Sequence, residues 1–210
     1  MKTKILIHAV MLLLLAGSFS SCTKGEESEK EDFFYYYFGE KTFLKQVEDK
    51  ICIRFAPDAG KEQLLALIDS YSSLKPVPSF TFLDYSDSRF AVLETQGGSH
   101  ISLATIESFK TREEVVSVEY MYLYDNRVLI GLNDKITVKL KETATYAQLQ
   151  NLAEQNHCII GKEDLYNKNQ FTLYVSKTSK LNALQIANLF YETGIFEWSS
   201  PYFFSLVTAD

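Results

Sequence analysis

The body of the chain is one pattern written twice, and no other feature constrains its fold as strongly. Asp49-Lys50-Ile51-Cys52-Ile53-Arg54-Phe55 aligns with Asp134-Lys135-Ile136-Thr137-Val138-Lys139-Leu140, 85 residues further on. Both stretches alternate apolar and polar residues with period two, the pattern of a half-buried strand. A helical stretch follows each, with Gln63, Leu64 and Leu67 matching Gln148, Leu149 and Leu152. Leu64, Leu67, Ile68 and Tyr71 form the i, i+3, i+4, i+7 stripe of the first helix. Thr145 and Gln148 form a capping box that starts its counterpart. Arg89–Leu93 then matches Gln170–Tyr174 as a strand. A second helix runs from about Ser99 to Lys110 with Leu103, Ile106 and Phe109 inward. Its counterpart runs from about Ser179 to Glu192 with Leu184, Ala187 and Phe190 inward and Gly194 as C-cap. Val115–Leu123 and Ile195–Phe204 close the two copies as strands, and segments near Phe80–Leu83 and His157–Ile160 supply the rest.

Each copy therefore reads β-α-β-β-α-β, the split-βαβ order. The expected fold is α+β: two tandem ferredoxin-like βαββαβ units behind an N-terminal β-hairpin. Two helices cover one face of a four-stranded sheet. Ile51, Ile53 and Phe55 are expected to face them, leaving Lys50, Cys52 and Arg54 on an open face. Lys135, Thr137 and Lys139 take the open positions of the second unit. The hairpin pairs Phe34–Phe38 with Thr42–Lys45 around Gly39-Glu40, and its rings are expected to pack on the repeats rather than to bind sugar. An aromatic fraction of 14% suits such a sheet-rich chain.

The amino terminus has a different character. Lys2 and Lys4 precede an apolar run from Ile5 to Ala16, too short for a membrane span of about 20 residues, so it reads as an export signal. Phe19-Ser20-Ser21-Cys22 resembles the lipobox of bacterial lipoproteins, in which the cysteine becomes the lipidated first residue; a plain secretory signal is the alternative. Acidic residues dominate Thr23 to Asp32, which has no apolar periodicity and reads as a solvated tether. Such a run after the lipidated cysteine resembles a surface-export signal, with a periplasm-facing spacer as the alternative. The expected layout is a signal peptide at 1–21, a tether at 22–32, a hairpin at 33–47, a first unit at 48–126 and a second unit with its tail at 127–210. The expected location is the outer membrane, held by lipid on Cys22.

The inventory of reactive groups is small. A net charge of −6 provides no phosphate-neutralising excess, which argues against a general nucleic-acid binder. His100 lies in a Gly97-Gly98-Ser99-His100 loop that enters a helix, and no phosphate-binding glycine motif occurs. His157 lies at a helix exit. Neither belongs to a metal-binding spacing, so no metal or cofactor is expected. Cys52 and Cys158 either pair across the units or pack as separate thiols, the second being preferred. A nucleophile built from His157 and Cys158 fails because adjacent strand residues point to opposite faces. No catalytic residue is expected.

The strings that end the two units go further. Glu113-Glu114-Val115-Val116-Ser117-Val118-Glu119-Tyr120 and Ile195-Phe196-Glu197-Trp198-Ser199-Ser200-Pro201-Tyr202-Phe203 resemble the last strand of subtilisin-type protease pro-regions. Tyr35-Tyr36-Tyr37-Phe38-Gly39-Glu40-Lys41 resembles the opening of fervidolysin-like members. The resemblance covers roughly residues 33–206 and implies a pro-region with no protease attached. It implies an open sheet face laid on a subtilisin-like protease, with Glu119 and Glu197 capping its helices. By strand parity Trp198 is placed in the core. The resemblance also implies a tail, Ser205 to Asp210, whose Leu206, Val207, Thr208, Ala209 and Asp210 enter the protease cleft as an added strand. The implied activity is inhibition or chaperoning in trans. The alternative is a structural or ligand- or glycan-binding surface lipoprotein with no protease partner.

Overall fold

The structure, a computed structural model, describes residues 33–77, 82–85 and 88–206. The expected signal peptide, Cys22 and the tether lie outside the described residues, as do Phe80, Thr81, Val207, Thr208, Ala209 and Asp210. Strand β1 (Phe33–Tyr37) turns through Phe38 and Gly39, at φ 48° and 84°, into β2 (Glu40–Phe55). Gly39 suits the left-handed geometry, which sets the turn one residue earlier than expected. β2 runs for 16 residues straight through the expected boundary at 47/48, so hairpin and first unit share one strand.

The first half continues with α1 (Lys61–Asp69), β3 (Leu74–Pro76), β4 (Leu83–Tyr85), β5 (Ser88–Thr95), α2 (Leu103–Lys110) and β6 (Val115–Tyr124). Asp125 and Asn126, both at positive φ, turn the chain tightly into β7 (Val128–Leu140). The second half adds α3 (Tyr146–Gln155), β8 (Cys158–Glu163), β9 (Gln170–Val175), α4 (Ala183–Glu192) and β10 (Phe196–Leu206). The fold is α+β, with a mostly antiparallel ten-stranded sheet among the described residues. Strand order is β3-β5-β2-β6 in the first half and β8-β9-β7-β10 in the second. Met121–Tyr124 of β6 pair with Val128–Gly131 of β7 and join the halves into one sheet.

Local chemistry accounts for the helix ends. The Thr145–Gln148 capping box forms as expected, and Asn182 with Gln185 forms another at α4. Gly194, at φ 75°, follows the end of α4. Ser102 caps α2, while Ile101 just outside and Ile106 inside share the core as a hydrophobic staple. Leu103, expected inward, is exposed. Three-residue steps each fall 60° short of a full circle, so Leu103 and Phe109 cannot share a narrow face; Ile101 fills the place instead.

Helices α1 and α2 cover Ile51, Ile53 and Phe55 as expected, and Tyr71 stacks on Phe109 with ring centres 3.9 Å apart. Helix α4 buries Leu184, Ala187 and Phe190 on Ile136 and Val138. A third core was not expected. Cys52, Phe90, Val92 and Met121, on the other face of the first half, pack against Phe204 and Leu206 of β10. Cys52 is therefore 1% exposed and Arg54 is buried, correcting the open face expected there. Burying a large apolar side chain contributes about 1.5–3 kcal/mol, so these contacts hold the halves together firmly.

Two further expectations change at β10. The pairing slips between Phe196 and Trp198, which face Leu140 and Lys139 in turn. The extra residue of that bulge inverts the parity after it, so Ser199 points inward and Trp198 is 36% exposed. The strand also continues past Phe204. Ser205 and Leu206 pair with Ile130 and Leu129, and Leu206 is 4% exposed, so neither belongs to a free tail. The aromatic hairpin packs on the repeats as expected. Tyr35 meets Phe203 at 5.2 Å, and Tyr36 lies on Tyr191 at 4.3 Å while its hydroxyl donates to Glu192.

Candidate functional site

β7 changes partner along one edge. Val128–Gly131 pair with β6 and Lys135–Lys139 with β9, while β10 follows the opposite edge. The sheet therefore splits beside Leu132, Asn133 and Asp134. A cavity of about 250 Å³ opens there between β6, the end of β9 and the start of α4. Asn133 Oδ1 accepts the Lys135 amide at 2.8 Å. Asp134 takes two hydrogen bonds from Arg54 Nη1, at 2.8 and 2.9 Å. Burial raises the Asp134 carboxyl above the usual range even though the Arg54 guanidinium opposes that.

Glu119 faces the same cleft. Its Oε2 accepts a hydrogen bond of 3.2 Å from Asn182 Nδ2, at the N-cap of α4. Burial pushes its carboxyl up to about 7, against the opposing charge of Lys110 and the Asn182 bond. Across the ladder sits Cys52, whose thiol is raised well above its ordinary range by burial and then by the Glu119 charge. Glu119 thus lies at a helix N-terminus of its own chain.

The open face of the second half is a separate feature. Residues directly opposite in a ladder share a face, which groups Gln170, Lys139 and Trp198 in one row. Thr172, Thr137 and Ser200 form the next row, and Tyr174 with Lys135 the third. Tyr202 occupies the second slip of β10, between Pro201 and Phe203, and is exposed. Glu197 Oε2 is 3.1 Å from Lys139 Nζ beside Trp198. The Ser88–Phe90 end of β5 forms the far wall of a groove of about 630 Å³ that runs along the lower rows.

The structure separates residues that the sequence treats alike. Glu119 is inside the cleft, Glu197 is on the exposed face, and Leu206 is in the third core. Cys52 and Cys158 are separate free thiols, and burial raises Cys158 to about 11. His100 Nδ1 lies 3.5 Å from Glu48. Among the described residues no cluster of three or more His, Cys, Asp or Glu is placed to hold a metal ion, and no helix is long and apolar enough to cross a membrane. The sequence reading missed Asn182, although Asn182-x-x-Gln185 is a capping-box signature. It also missed the Arg54–Asp134 pair, for which no local signal exists. Comparison with protein-family models and with curated proteins gives no match.

Proposed function

We propose that this chain is a non-catalytic binding module that docks a subtilisin-like serine protease in trans through the exposed sheet face of its second half. The observation that carries the reading is the asymmetry of the two faces. The first is closed by Phe204 and Leu206, whereas the second presents Trp198 beside Glu197. The strand orders support reading the halves as tandem ferredoxin-like units, the arrangement that the resemblance to protease pro-regions implies. An exposed carboxylate next to an exposed indole suits the start of a partner's helix, where free amides favour negative charge.

In this reading Glu197 and Trp198 are partner contacts, while Glu119 serves the chain's own α4. Leu206 holds the halves together, so any tail contribution comes from Val207, Thr208, Ala209 and Asp210 alone. The chain is exported and tethered to the outer membrane by acylated Cys22, at the cell surface or on the periplasmic side. Inhibition or chaperoning by residues 23–210 is tested by titrating that fragment into assays of several subtilisin-like proteases. Slowed peptide hydrolysis or improved protease refolding, reversed by Trp198→Ala with Glu197→Lys, is the expected result. No effect across the set removes the protease partner from the reading.

A further inference from the structure

The turn between β8 and β9 presents two large apolar side chains that no described residue covers. Leu165 is 91% exposed and Tyr166 92%, next to each other at its tip. The turn is nonetheless tightly built. Asp164 Oδ1 accepts from the Tyr166 and Asn167 amides at 2.9 and 2.8 Å, and from Asn167 Nδ2 at 3.0 Å. The Asp164 amide donates to the Gln170 carbonyl at 2.8 Å, and Glu163 accepts from the Asn169 amide. Both carboxylates are thus engaged with the turn's own amides, while Lys162 and Lys168 are exposed on either side of the apolar pair.

The turn stands at one end of the second half. The Leu140 amide, where β7 stops, donates to the Asn169 carbonyl at 2.9 Å, whereas the first residues of β7 pair with β6. β7 runs 13 residues between these points, about 40 Å of extended chain. The tip therefore lies beyond the strand ends, on the side away from the junction of the halves.

We propose that this turn is an interfacial anchor for a lipid bilayer, with Leu165 among the acyl chains, the Tyr166 hydroxyl at the headgroups and Lys162 and Lys168 on lipid phosphates. An apolar side chain beside a tyrosine, flanked by lysines, is the composition that membrane interfaces favour. A convex tip enters a fluid layer without a matching socket, whereas a protein partner would have to supply one shaped to both side chains. The net charge of −6 provides no general pull toward lipid phosphates, so docking depends on this turn. Two side chains hold a bilayer weakly, and the anchor therefore needs a tether. The residues between Cys22 and Phe33 reach at most about 40 Å when extended, which keeps the chain beside any membrane that holds Cys22 and raises the local concentration of lipid. In that respect the inference rests on the lipid attachment proposed above.

The test replaces the acyl group with a hexahistidine tag ahead of residues 23–210, so its outcome does not depend on whether Cys22 is acylated. The protein is held on phosphatidylcholine–phosphatidylglycerol vesicles that carry a nickel-chelating lipid. An environment-sensitive fluorophore on Asn167→Cys reports the turn, since Cys52 and Cys158 are buried. Blue-shifted emission on the vesicles is expected. Adding Leu165→Ser with Tyr166→Ser should lower the ratio of docked to undocked label about tenfold or more, and both positions are exposed enough to leave folding intact. The same fluorophore on Asp58→Cys, exposed before α1 in the first half, should not shift. An unshifted label at Asn167, the result expected if the tip meets a protein instead, overturns the proposal. An equal shift at Asp58, or docking indifferent to the double serine variant, does so as well.

Discussion

Arg54 and Asp134 stand 80 residues apart in sequence, yet a single guanidinium nitrogen, Nη1, bonds both oxygens of the carboxylate at 2.8 and 2.9 Å. Arg54 is the sixth residue of the repeated heptapeptide in the first copy and Asp134 the first residue of it in the second, so the ion pair ties one copy to the other. Arg54→Met or Asp134→Leu alone breaks the buried pair and should cost about 3–5 kcal/mol. The double variant Arg54→Met with Asp134→Leu should recover much of that loss. Urea denaturation of the four proteins measures the coupling directly.

Glu119 makes stability depend on pH. Its folded pKa of about 7 exceeds the ordinary glutamate value, so between those values the folded state holds more protons than the unfolded one. Stability contributed by this site is therefore greatest at acid pH and falls as pH rises from about 4.5 to 7. The fall should be about 2 kcal/mol, less than the full shift implies because the cleft admits water. Glu119→Gln should flatten the profile over that window, as read by thermal melts at several pH values, while other carboxylates still set the acid limb.

Gly131 lies under the ring of Phe204, and a Cβ there would sit well inside its van der Waals radius. Gly131→Ala should destabilise by roughly 1–3 kcal/mol through overpacking. Adding Phe204→Leu should reduce the penalty of the alanine. A chemical denaturation cycle over these two positions tests both statements.

Trp198 is the chain's only tryptophan, so its fluorescence reports one place. The exposed side chain predicts red-shifted emission in the folded protein and ready quenching by iodide. Trp198→Ala should change stability by less than about 1 kcal/mol while abolishing protease docking. A blue-shifted, quencher-resistant emission would restore the core position that simple strand parity gives it.

Both described cysteines are buried thiols with raised pKa. In residues 23–210 neither should react with a thiol reagent on mixing at neutral pH, and both should react once denaturant is added. Cys158, nearer the surface, should be the first to react on prolonged exposure.

Periodic features were legible from sequence because they are local. The Thr145–Gln148 capping box, the Leu64–Leu67–Ile68 stripe and the paired heptapeptides depend on residues within a few positions of one another. Cys52 and Arg54 were misplaced for the opposite reason. Alternation assigns them correctly to the face away from α1 and α2, but nothing local says that β10 returns to cover that face. Trp198 failed on one inserted residue, since a bulge changes the face of every position after it without leaving a mark in composition. Of the candidate site, Glu197 could be placed from its neighbours, whereas the groove depends on β9 and β10 bringing Tyr174 and Tyr202 to opposite sides of β7.

The aromatic hairpin gives the molecule an order of events. Tyr36 bonds Glu192 across 156 positions, and the Asn188 side chain donates to the Phe34 carbonyl. The first strand of the described chain is seated by its last helix. Contacts of such long range form slowly, and here one end must be held open until the other has arrived. Locking is the closing act of folding, and a chain interrupted before α4 keeps its row of rings uncovered.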